Sequence, residues 1–194
     1  MISTYPSQMM AWHELLSEAE EKAKLQLEED LKSYLIFVLM RLMKKPEMLF
    51  GAAALNYLES LVQFGESKRQ SLRDVGDKCL LLSGFFPKQT IKRRVAADYF
   101  ISLGSSAYRS LAEEFDARKG AKELSGLYTL ISKKFALMTI VLMAAKIPDE
   151  NTEIVSPLLA YELQKRTGSS FFLEELSKKS RHPIFLGMAG NTKH

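Results

Sequence analysis

From position 121 to 146, apolar side chains return at three- and four-residue steps through Leu124, Leu127, Tyr128, Ile131, Phe135, Met138 and Leu142, and Pro148 then forbids continuation. A strand cannot use that spacing, because its faces alternate every second residue. This stretch sets the class of fold, since a long apolar helix must be sheltered by other elements. The rest of the chain offers helices to do so. Glycine and proline, 10 and 6 residues, punctuate the sequence sparingly, and the segments between them keep the helical period.

The periodicity predicts an all-α, single-domain bundle of seven to eight helices, near residues 7–24, 28–44, 46–64, 67–83, 94–115, 121–146, 152–167 and 170–180. Glu28, Glu29 and Asp30 suit the start of the second helix and Lys44 and Lys45 its end, because acidic and basic groups oppose the charges at helix termini. Pro46 fits a first turn and Gly65 a left-handed cap. Gly104-Ser105-Ser106 is a place where the fifth helix could bend. The domain is expected to span residues 1–194, with an irregular tail at 184–194, since 194 residues suit one core and no linker separates two. The second and sixth helices have an apolar surplus, at residues 34–43 and 135–145, that one small bundle need not cover.

Compartment and partners follow from charge and cysteine usage. One cysteine, Cys79, excludes an internal disulfide and suits a reducing, cytoplasmic location, and the N-terminus lacks the basic and apolar regions of a secretory signal. The longest apolar run has 11 residues, short of the about 20 needed to span a bilayer, so no membrane is expected. The net charge of +4 is uneven: residues 1–66 carry six basic against ten acidic side chains, and residues 67–194 carry 21 against 13. No helix has the continuous basic stripe that would favour nucleic acid.

Catalytic and metal signals are weak. His13, His182 and His194 lie far apart, and Trp12-His13-Glu14 lacks the second histidine of a zinc-protease helix, position 17 being Ser. No metal, cofactor or catalytic residue is expected. Neither a nucleophile elbow nor a phosphate-cradling glycine loop occurs. Cys79 shares an arc with Leu72 and Val75, which reads as packing, and Gly76 on that arc reads as a close approach of helices.

Two polar groups stand out as candidate sites. Asp77 falls on a face that a central helix buries, so it needs a partner; Arg73, one turn earlier, is the expected one, with Tyr99 and Tyr108 as further members of a buried polar network. Lys88, Lys92, Arg93 and Arg94 precede a helix start, where basic side chains and free amides together could hold an anion.

The stretch Val75-Gly76-Asp77-Lys78-Cys79-Leu80, Ser83-Gly84-Phe85-Phe86-Pro87, Arg93-Arg94-Val95, Asp98-Tyr99-Phe100, Leu103-Gly104 and Ala107-Tyr108 resembles an uncharacterised family of small all-helical bacterial proteins. The resemblance covers most of the chain, from the second helix to residues 161–169. It implies a bacterial cytoplasmic protein and carries over no reaction or catalytic residue. The leading expectation is therefore a non-enzymatic helical protein that acts through a protein partner or homodimer in a regulatory role. The alternatives are a binder of a phosphate-containing small molecule or nucleic acid through residues 88–94, and a carrier of apolar ligands between the second and sixth helices.

Overall fold

The computed structural model describes residues 5–86, 97–146 and 155–179, and every regular element within them is helical. The chain divides into two compact units, residues 1–154 and 155–194, a division that the sequence reading of one domain over 1–194 does not draw. The expected tail at 184–194 lies outside the described residues.

Among its described residues the first unit holds six α-helices: α1 (Tyr5–Ala23), α2 (Glu29–Lys44), α3 (Ala53–Leu61), α4 (Gly65–Leu80), α5 (Ala97–Asp116) and α6 (Lys122–Ala145). The turn from α1 to α2 is closed by the buried Glu20, whose carboxylate accepts from the Leu27 amide at 2.7 Å and pairs with Lys32 at 2.6 Å. Lys24 there takes a left-handed φ of +52°. The ends of α2 fall where its charges favour them, with Glu29 and Asp30 in the first turn and Arg41 and Lys44 in the last.

The third expected helix is broken. Pro46 opens a 3₁₀ turn, Pro46–Leu49, and Gly51 then takes φ +80°, a left-handed backbone that ends the run before α3 begins at Ala53. Gly65 is left-handed as expected, at φ +62°, but it opens α4 instead of closing α3, which stops at Leu61. The fourth helix runs past its α-helical end into a wider π turn, Leu81–Phe85, where the Phe86 amide donates to the Leu81 carbonyl at 2.8 Å.

The core lies where α4, α5 and α6 meet, with α6 also packed on α1, α2 and the π turn. A Cβ on Gly104 would lie 2.4 Å from Phe135 and 2.7 Å from the Cβ of Cys79, so the bare backbone there lets three helices converge. α5 runs uninterrupted through the same segment. Ser105 donates to the Ser132 carbonyl at 2.9 Å and Ser132 to the Ser105 carbonyl at 2.8 Å, a reciprocal clasp between α5 and α6. By length and composition α6 could cross a bilayer, but Phe135 and residues 138–144 are buried within the bundle.

The second unit pairs α7 (Pro157–Thr167) with α8 (Phe171–Lys179). Ser156 caps α7 by accepting from the Leu159 amide, Pro157 fills the first turn, and Gly168 ends it at φ +75°. Those signals start the helix at Pro157; the earlier start expected near Thr152 falls partly outside the described residues.

Candidate functional site

Asp77 projects from α4 into the core and is fully buried. One carboxylate oxygen accepts from the Tyr34 hydroxyl on α2 at 2.7 Å and from the Tyr108 hydroxyl on α5 at 2.6 Å. The other oxygen accepts from the Arg41 guanidinium on α2, which also reaches Asp74. Three donors from two neighbouring helices thus satisfy one carboxylate, as a buried charge requires. Gly76 beside it makes room, since a Cβ there would lie 2.6 Å from the Tyr108 ring.

The aromatic rings continue the assembly outward. Tyr34 and Tyr108 meet edge to face at 5.8 Å, and Tyr128 on α6 lies 6.0 Å from each, edge-on to Tyr34 and stacked on Tyr108. Tyr34 and Tyr128 meet between α2 and α6, the two helices between which the apolar-ligand alternative places its cavity.

Burial sets the electrostatics of this centre. It pushes the Asp77 carboxyl above its ordinary value, although Tyr108, Tyr34 and Arg41 pull the other way. Burial and the Asp77 charge together hold the Tyr34 and Tyr108 hydroxyls well above the ordinary phenol range. Burial also works against the Arg41 charge, but Asp74 and Asp77 outweigh it and keep the guanidinium more firmly protonated. With both oxygens bonded to groups from α2 and α5, Asp77 ties these helices to α4. Cys79, one turn half-removed on α4, is equally inert: burial pushes its thiol up to about 12.

The structure brings together two of the four residues expected in this network. Asp77 and Tyr108 are bonded, whereas Tyr99 is exposed and rests on the neighbouring Phe100 ring at 5.4 Å. Arg73 is not the hydrogen-bonding partner of Asp77. Its guanidinium reaches Gln70, its buried Nε lacks a hydrogen-bond partner, and it influences Asp77 through charge alone. Arg73 sits on the same helix as Asp77 and reaches Gln70 along it and Tyr128 on α6, while Arg41 approaches Asp77 from a neighbour. The anion candidates Lys88, Lys92, Arg93 and Arg94 lie outside the described residues.

A second polar feature lies between α5 and α6, an open cleft of about 670 Å³ lined by Arg109, Glu113, Thr129, Ser132 and Lys133 among others. Its charges are mixed and mostly exposed, so it selects no ligand charge. Among the described residues no three His, Cys, Asp or Glu side chains converge as metal ligands.

The feature that sequence reasoning missed is the outward apolar face of α3. Its inward residues are small or polar: Ala53 and Ser60 are buried, Ser60 donates to the Tyr57 carbonyl at 2.6 Å, and the Tyr57 and Ser110 hydroxyls share a hydrogen bond of 3.3 Å. Its outward residues, apart from Glu59, are apolar. Leu55, Leu58, Leu61 and Val62, flanked by Phe50 and Phe64, are 46–86% exposed. At 100° per residue the four aliphatic side chains occupy an arc of about 120°. The buried Lys78 on α4 fastens this segment to the core by donating to the Phe50 carbonyl at 2.6 Å.

The apolar surplus expected elsewhere is largely covered. Residues 138–144 are buried, and within residues 34–43 of α2 only Phe37 and Met43 are exposed. A signal for α3 was nonetheless present: between Phe50 and Phe64 the sequence has one charged residue, Glu59, in a chain that is 26% charged. Compared with known proteins, the chain matches no family model, no curated protein and no solved structure.

Proposed function

We propose that this protein is a non-enzymatic helical module that works by associating with another protein chain through the outward face of residues 50–64, in a regulatory role. The observation that carries this reading is the inverted α3, whose leucines and valine face solvent while alanine and serine face the core. Folding alone gives no reason for that orientation, because burying large aliphatic groups stabilises more than burying small or polar ones. Large contiguous apolar patches on soluble domains mark interaction sites. The Asp77 centre supports the same reading from the other side: it holds α2, α4 and α5 together, and Lys78, next to it on α4, fixes the approach to α3.

The single buried Cys79 suits a reducing cytoplasm, and the resemblance to a family of small helical bacterial proteins suits a bacterial setting. Photo-crosslinking in cells tests the reading. A photoreactive residue placed at Leu58 should give a discrete protein adduct, identifiable by mass spectrometry, that the same group at the exposed Met10 on α1 does not give. Adducts to lipid alone, or none, would remove it.

A further inference from the structure

We infer that the occupant of the α3 face is a second copy of this chain, docked so that α3 lies antiparallel to its symmetry mate with Leu58 at the twofold axis. This rests on the association reading above and specifies its partner. The size of the patch is the first argument. Phe50, Leu55, Leu58, Leu61, Val62 and Phe64 together present roughly 700 Å² at their observed exposures, with phenylalanine carrying about 150–250 Å² and the aliphatic residues toward the lower end of that range. Two copies that covered all of it would bury up to roughly 1,400 Å², inside the about 1,200–2,000 Å² of a stable interface.

Charge is the second argument. Glu59, at the edge of the face, is the single charged residue from Phe50 to Phe64, so two copies can meet without opposing like charges across the centre. A strongly charged partner would find no complement here. A bilayer surface would select cationic side chains beside the apolar arc, and α3 has none; the nearby Lys68 and Arg69 are engaged by Glu114 and Glu66.

Shape is the third. A nine-residue helix is only about 13 Å long, too short to hold a partner by itself, but Phe50 and Phe64 extend the face at both ends. Leu58 is central in the apolar set, so an antiparallel pairing about it sets Leu55 against Leu61 and Val62 of the mate and brings the two phenylalanine ends together. An isologous pair of this kind closes on itself and leaves no apolar edge for further growth.

The test uses the full chain in sedimentation velocity over a dilution series. The wild type should sediment as twice 22.0 kDa, and Leu58→Glu should raise the dimer Kd by about 100-fold or more, as expected at the centre of an apolar interface, with an unchanged helical circular dichroism melt. A wild-type mass of 22.0 kDa throughout, or a dimer that survives Leu58→Glu, overturns the inference. Leu58→Cys gives a readout independent of that variant, because the native Cys79 is buried and silent. Mild oxidation should link two copies through position 58 and not through Met10→Cys; equal linking at both positions overturns the pairing. If the wild type is monomeric while the Leu58 photo-crosslink finds a different protein, the association reading stands and the second copy is wrong. If both fail, both are wrong.

Discussion

α6 and α3 are each rich in large apolar residues, yet among the described residues α6 buries most of its own while α3 leaves its leucines exposed. α6 has 24 residues and neighbours on several sides, α1, α2, α5 and the π turn, so nearly every apolar side chain it carries past Ile131 meets another. α3 has nine residues and packs chiefly on α4, and only its Ala53 and Ser60 are buried. Apolar content therefore does not decide burial. The number of neighbours, and the sides from which they come, decides it.

Truncation separates the two regions most sharply. Phe135→Ala in α6 removes a ring that sits against Gly104 and Tyr108, and it should cost about 3–5 kcal/mol in urea unfolding, as large core truncations do. A cost below about 1 kcal/mol would mean that α6 is not the centre of the core.

The buried charge comes next. Asp77→Asn leaves Arg41 facing a neutral group and should cost about 3 kcal/mol, the lower end for a broken buried pair because Asp74 still neutralises the arginine. The restoring variant Arg41→Met with Asp77→Asn should recover part of that loss in a double-mutant cycle; strict additivity would show that the two groups do not interact.

Alkaline titration gives a smaller effect with a definite sign. Tyr34 and Tyr108 are held well above the ordinary phenol value, so the folded state keeps protons that the unfolded chain releases. Their contribution to stability is complete below the unfolded phenol value and is lost as pH rises through the raised native one. Of the seven tyrosines, these two should ionise only together with unfolding, read as a step in phenolate absorbance coincident with loss of helical dichroism. Tyr108→Phe should shrink that step.

Leu58→Lys on α3 should change the stability of the isolated fold least, by under about 0.5 kcal/mol at concentrations where the chain is monomeric. A loss comparable to that of Phe135→Ala would show that α3 faces inward.

Much of this was legible in the residues. The three- and four-residue spacing marked α5 and α6, and charge at the ends marked α2. Gly168 marked the end of α7, though not its start at Pro157, and the need of Asp77 for a buried partner was also visible. Gly51 was not, because an isolated glycine is compatible with a helix until its neighbours require a turn. The cap at Gly65 was read in the right conformation but assigned to the wrong helix.

By itself the sequence determined the helical class, the approximate ends of most elements and which residues share a face, because these depend on backbone chemistry and on neighbours within one or two turns. Tertiary structure alone decided which face is covered and which distant group answers a buried charge: that Arg41, 36 positions from Asp77, displaced Arg73, and that the leucines of α3 point to water. Periodicity fixes an arc on a helix, but the covering of that arc depends on packing between segments far apart in the chain.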